Sequence, residues 1–195
     1  VGGIINNNPK RKIYIYTNGT VAPKDEQLKS FDSNDVNFII TDYGKLSRNA
    51  DKLTERLNNH GITYVRTPAE NWLDCGTIKH HKRTVGELKE VFKQCCVKYV
   101  YTLLDGKLYR CPFIANADNL KAIPNNPANY VDLFSKNNDV KLQLKRLVQV
   151  AKFFPGCDFC VGRPYDPSGK KGYDGKGMIE PAIQAANTID YKVYK

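Results

Sequence analysis

Cys95-Cys96-Val97-Lys98-Tyr99-Val100-Tyr101-Thr102-Leu103-Leu104-Asp105-Gly106-Lys107-Leu108-Tyr109-Arg110-Cys111 is the stretch from which the rest of the chain is read. Two strand-like runs, Tyr99 to Leu104 and Lys107 to Phe113, flank Asp105-Gly106. Asp-Gly between apolar runs predicts a two-residue type I′ hairpin turn, because both turn positions need positive φ. That register sets Leu104 opposite Lys107 and Cys111 opposite Val100. Cysteines therefore sit at the base of the hairpin. A later turn, Cys157-Asp158-Phe159-Cys160, is expected to meet them. Four thiols gathered this way predict a metal or iron–sulfur site.

The elements on either side deliver those thiols. Thr84-Val85-Gly86-Glu87 is a capping box, in which the hydroxyl accepts from the third amide and the carboxylate accepts from the first. It opens a helix with Val85, Leu88, Val91 and Phe92 on its apolar side. Cys95 follows Phe92 by three residues and Val91 by four, so it shares that inward face, whereas Cys96 points about 100° away. Cys95 is the favoured core-facing thiol, and Cys96 stays a candidate if the helix end frays. Cys111-Pro112-Phe113-Ile114 leads from the hairpin into a loop rich in Asn and Pro. A helix is expected from Asp139 to Phe154, with Leu142, Leu144, Leu147, Val148 and Ala151 inward. Pro155-Gly156 stops it and presents Cys157.

Upstream, strand and helix signals alternate. Lys12 to Tyr16, Val36 to Ile40 and Ile62 to Arg66 are β-branched and aromatic runs. Between them fall a short helix with Pro23 in its first turn and a longer one from Ser47 to His60. The longer helix carries Leu46, Ala50, Leu53 and Leu57 as one stripe, and Gly61 stands where a left-handed cap belongs. Strands separated by helices imply a parallel sheet with crossover connections. Loops at the carboxyl ends of such strands carry ligands, which makes Asn18, Asp42 and Arg66 binding candidates. Asn18 in Asn-Gly reads as ordinary turn chemistry as well. The segment from Asn71 to Gly76 reads equally as a pocket wall or a packed turn; Asp74 is its candidate, and Cys75 reads as packing. His60, His80 and His81 lack metal-site spacing and read as surface. Residues 166 to 177 are polar and glycine-rich, which predicts a loop, and Glu180 to Gln184 suggests a short helix.

The bulk numbers narrow the function classes. A chain of 195 residues accommodates one ordinary domain or two small ones. No run reaches the roughly 18 apolar residues of a membrane span, so no membrane role is expected. The 30 Lys and Arg against 20 Asp and Glu give +10, which suggests anionic substrates or partners beside a Lys-rich solvated surface. The basic residues are scattered and no nucleic-acid motif accompanies them, so nucleic acid is not an expected partner. Six cysteines without a secretory signal point to a reducing, cytoplasmic setting, where ligation is favoured over disulfides. Dispersed ligands and a single Cys-x-x-Cys favour a cluster, and zinc stays open as the alternative.

A family resemblance enters at these cysteines. Cys96, nine residues, Gly106, four residues and Cys111 match the opening of the SPASM/twitch domains appended to radical S-adenosylmethionine enzymes. Cys157-x-x-Cys160 resembles the closing half of a twitch domain. The alternating segment, with Tyr16-Thr17-Asn18-Gly19 at a strand end, resembles the middle of the partial barrel in those enzymes. Val1-Gly2-Gly3 resembles the start of their Gly-Gly-Glu-Pro motif. Leu108 to Phe113 and Glu180 to Gln184 resemble a subgroup found in cell-surface polysaccharide pathways.

The resemblance implies an α/β fold: a partial parallel (β/α) barrel over 1–83, then a small hairpin-plus-helix twitch-like domain over 84–195. It implies one auxiliary 4Fe–4S cluster held by Cys95 or Cys96, Cys111, Cys157 and Cys160. It also implies a pocket at Asn18, Asp42, Arg66 and Asp74, a small-molecule or anionic substrate, and an electron-donor protein as partner. The Cys-x3-Cys-x2-Cys motif that binds the S-adenosylmethionine-cleaving cluster is not in this sequence. S-adenosylmethionine is therefore expected as a cofactor only if a longer chain supplies that motif. The alternative is a non-catalytic module, stapled by zinc or a cluster, that binds an anionic partner.

Overall fold

Ile13–Thr17 (β1), Val36–Asp42 (β2) and Thr63–Pro68 (β3) form a parallel sheet in that order, with Ile13 beside Val36 and Asn37 beside Thr63. The computed structural model describes residues 12–31, 35–70, 72–73, 77–136, 139–162, 178–179 and 192–194. The described residues fall into two units, 12–70 in the first and those from Trp72 onward in the second.

In the first unit, side chains alternate across the strands, so Val36, Phe38 and Ile40 are buried on one face of β2. They pack with Leu28, Leu53, Leu57 and Ile62. Leu28 comes from a one-turn helix, Asp25–Leu28 (α1), which starts beyond Pro23. Leu53 and Leu57 come from Ala50–Asn59 (α2). The expected helix over Ser47 to His60 is thus shorter. Leu46 lies in a separate turn, Gly44–Leu46, and is exposed, so it does not join the buried stripe. Gly61 adopts φ +62, as a left-handed cap requires, and Ile62 N–H donates to Leu57 O. On the opposite face Tyr16, Ile39 and Val65 are register neighbours, and Tyr16 is 76% exposed and Val65 54%.

The second unit begins with Trp72–Leu73 (β4), which pairs with Met178–Ile179 (β8) near the other end of the chain. Its main sheet is antiparallel and consists of Thr102–Leu104 (β5), Lys107–Tyr109 (β6) and Tyr130–Asp132 (β7), in that order. The Asp105-Gly106 turn has φ +47 and +77, the type I′ signature, and Leu104 pairs with Lys107. The fold is therefore mixed α/β, with one small parallel and one small antiparallel sheet.

The hairpin is shorter than its sequence suggests. Its ladder ends at Tyr109, so Cys111 does not face Val100 across a strand pair. Cys111 instead caps Pro112–Asn119 (α4), where a strand end and a loop were expected. Pro112 is suited to a first helical position, because its missing N–H would have no partner there. Ile114, Ala115 and Ala117 bury the inner side of this helix against Tyr109, Val131, Leu147 and Phe154.

Thr84 caps Val85–Gln94 (α3) by the expected box: Glu87 N–H donates to its hydroxyl and Thr84 N–H donates to Glu87 Oε2 at 2.7 Å. Leu88 is buried but Val85 is exposed, so the apolar side is narrower than the pattern implied. The later helix splits into Val140–Lys145 (α5) and a π-helical turn, Arg146–Val150. The wider turn breaks the regular helical phase. Leu147 is buried, while Leu142 and Val148 are both 45% exposed.

Candidate metal centre

Four cysteines converge in the second unit because three chain breaks coincide. Helix α3 stops at Cys95, whose extended backbone (φ −60, ψ +126) turns the chain out of the helix. Cys111 is the extended residue before α4. Cys157 and Cys160 lie in and just after a 3-10 turn, Pro155–Phe159. Cys95, Cys111, Cys157 and Cys160 line one small cavity of about 20 Å³ with Val91, Phe92, Phe113, Ile114 and Phe154. Cys96 is not on that wall, and none of the described cysteines is in a disulfide.

The thiols sense one another. Burial pushes Cys157 up to about 12, offset in part by a backbone hydrogen bond from Phe154, with Cys111, Cys160 and Cys95 raising it further. Burial likewise raises Cys95 to about 11; a backbone hydrogen bond from Val97 opposes this, while Cys111, Cys96 and Cys160 add to it. Both thiols are protonated at neutral pH in this state. A cavity of this size admits about one water. Among the described residues, no three His, Cys, Asp or Glu side chains stand as a ready-made metal-holding group.

Two arginines that no sequence motif marks fix the thiol-bearing turns. Arg83 Nη1 donates to Cys160 O at 2.7 Å and to Cys157 O at 3.1 Å. Its N–H donates to Asp158 Oδ1 at 2.9 Å, and His80 Nε2 lies 2.8 Å from Asp158 Oδ2. Lys79 N–H donates to Phe159 O, His81 N–H donates to Asp158 O, and the His80 ring stacks on Phe159. Residues 77–83 therefore form a strap along the Cys-x-x-Cys turn. His80 and His81 belong to that strap; His80 is exposed, as its sequence reading expects, while its ring still meets Asp158 and Phe159.

Arg110 is only 5% exposed. It donates from Nε to Lys98 O at 2.6 Å and from Nη1 to Leu147 O at 2.7 Å and Val148 O at 2.9 Å. The last two carbonyls belong to the final turn of the π-helical segment, where no following N–H of the helix takes them. One guanidinium thus joins the turn after Cys95 to the segment before Cys157.

On the other side of the Cys-x-x-Cys turn, Gly156 N–H donates to the buried Asn129 Oδ1 at 2.8 Å. A Cβ on Gly156 would come 2.8 Å from Ile114 Cγ1, which explains the glycine. The turn is held by contacts from several separate segments. That is a rigid mount for two thiols.

The candidates at the parallel strand ends, in the first unit, are brought together only in part. Arg66 donates from Nε to Asp42 Oδ2 at 2.8 Å and from Nη1 to Asp51 Oδ1 at 2.7 Å. Asp42 is held below its usual value of 3.8, first by Arg66 and then by the N–H of Gly44. The two candidates neutralise each other, and Arg66 is occupied by carboxylates. Asn18 Oδ1 accepts from Thr20 N–H, and Asn18 O accepts from Ser47 Oγ, so Asn18 serves its own turn. His60, read as surface, is one-fifth exposed and meets Asp25 at 3.2 Å. Asp74, Cys75, Val1 to Gly3, residues 166–177 and Glu180 to Gln184 lie outside the described residues. No helix among the described residues is long and apolar enough to cross a membrane. In comparisons with known proteins, no family model and no curated protein matches this chain.

Proposed function

We propose that Cys95, Cys111, Cys157 and Cys160 hold one 4Fe–4S cluster, and that the chain is the auxiliary-cluster portion of a radical S-adenosylmethionine-type enzyme. In this reading the parallel sheet is a piece of the partial barrel and the second unit is twitch-like. The observation that carries it is the convergence of these four thiols, from three separate segments, on one apolar cavity that Cys96 does not line.

The donor set fits such a group. Four cysteine sulfurs are the usual complement of a 4Fe–4S cluster, which would supply one-electron chemistry. The chain's own residues do the rest. Val91, Phe92, Phe113 and Phe154 supply an apolar wall around the thiols, which are the wall's main polar atoms besides Arg110 and Lys98. Arg83 and Arg110 hold the carbonyls beside the ligands, so the thiol-bearing segments stay next to one another. Because the cavity holds about one water, loading has to move its walls outward. Cys95 and Cys111 stand at helix ends, where such movement breaks few helical hydrogen bonds, while the Cys157 and Cys160 turn stays fixed.

Anaerobic reconstitution with iron and sulfide tests the proposal. The expected outcome is broad charge-transfer absorbance in the visible and, after reduction, the EPR signal of one 4Fe–4S cluster. Uptake of one zinc with no cluster formed overturns it in favour of a zinc-stapled module.

A further inference from the structure

Behind the thiol cavity, and sharing Phe92, Lys98 and Arg110 with it, lies an open groove of about 620 Å³. Helix α3 lines it with Lys89, Glu90, Phe92 and Lys93, the turn after Cys95 with Lys98 and Tyr99, and the segment after α5 with Val148, Gln149, Ala151 and Lys152. Five cations thus face one carboxylate. Glu90 meets Lys93 at 3.7 Å. Among the described residues, no carboxylate lies within ion-pair reach of Lys89, Lys98, Arg110 or Lys152.

Arg110 makes this more than a Lys-rich surface. It is 5% exposed, a buried cation set among neutral carbonyls and the rings of Tyr101, Phe92 and Tyr99. Carbonyls and rings satisfy its donors but leave its positive charge without a counter-ion among the described residues. Gathering four lysines around the same groove adds like-charge repulsion, which a bound anion relieves. Tyr99, 75% exposed, stands beside the cations as an apolar ring open to a ligand. The volume is that of a small-molecule site.

We propose that this groove binds a phosphate-bearing small molecule, its phosphates among the exposed Lys89, Lys93 and Lys152, with Lys98 and the buried Arg110 adding positive field behind them, and its organic part against Tyr99 and Phe92. Phosphate is favoured over a single carboxylate because it brings up to two charges and more acceptor oxygens to a site with a surplus of donors. The groove lies against the four-thiol cavity, so its ligand would be bound next to the cluster. The groove itself requires no metal.

Isothermal titration with ADP and with inorganic pyrophosphate, at fixed ionic strength, tests it. Two double variants lose equal charge: Lys93→Gln with Lys152→Gln in the groove, and Lys45→Gln with Lys52→Gln in the first unit. All four lysines are exposed, so both variants keep the fold. The expected result is saturable binding of both probes, weakened about tenfold by the groove pair and unchanged by the control pair. Absence of saturable binding, or equal weakening by both pairs, overturns the inference. The titrations run on protein with and without reconstituted cluster, and saturation is expected in both. A failed reconstitution therefore counts against the cluster alone.

Discussion

At the scale of single residues, charge pairing and close contact make separate predictions. Arg66 is the largest cause of the lowered Asp42 pKa, so Arg66→Gln returns Asp42 toward its ordinary 3.8, read by NMR titration of the carboxyl. The sign follows from linkage. A carboxylate lowered on folding stabilises the fold above pH 3.8, and that contribution is lost as pH falls through the lowered value. Thermal stability should therefore fall less steeply with acid in Arg66→Gln than in the parent. An unchanged Asp42 titration would remove the pair from the account. Gly156→Ala places a methyl 2.8 Å from Ile114 Cγ1. Overpacking of this kind costs about 1–3 kcal/mol, measured by denaturant unfolding. These two roles differ in legibility. Asp42 and Arg66 are visible in the sequence as strand-end polar residues, but their ion pair depends on strand order. Gly156 reads only as a helix stop, because Ile114 is 42 residues earlier in the chain.

At the scale of elements, the strap over 77–83 and the Cys-x-x-Cys turn form one device joined by Asp158. Asp158→Ala removes the acceptor for Arg83 N–H and the partner of His80. The expected loss is about 1–2 kcal/mol, seen as a lower Tm together with faster hydrogen exchange at residues 79 to 83. A lower Tm without that local exchange would mean the strap is held by something else. Local patterns are legible wherever a few adjacent residues suffice. The Asp105-Gly106 turn, the Thr84 box and the Gly61 cap are of this kind. Sequence patterns mislead where distant packing sets an element. Pro112–Asn119 is a helix because Ile114, Ala115 and Ala117 have a core to enter. The π turn at Arg146–Val150 redirects a stripe that regular helical spacing draws through Leu142 and Val148.

At the scale of the whole chain, two units carry different kinds of residue. The first has strand-end polar groups that satisfy one another, and the second gathers four thiols, two arginine anchors and a basic groove. Cysteine spacing marks the four thiols that line the cavity, while Cys95 reaches it from an extended residue just past the helix and not by helical phase. The arginine anchors are not legible, because their acceptors are backbone carbonyls that no sequence pattern marks. Cluster ligation by the cavity thiols is the central claim. The direct measurement is iron and acid-labile sulfide per chain after anaerobic reconstitution of Cys95→Ser and Cys96→Ser side by side. The account predicts about four irons and four sulfides in Cys96→Ser, as in the parent, and loss of the 4Fe–4S signature in Cys95→Ser. A cluster that survives in Cys95→Ser and is lost in Cys96→Ser would contradict it.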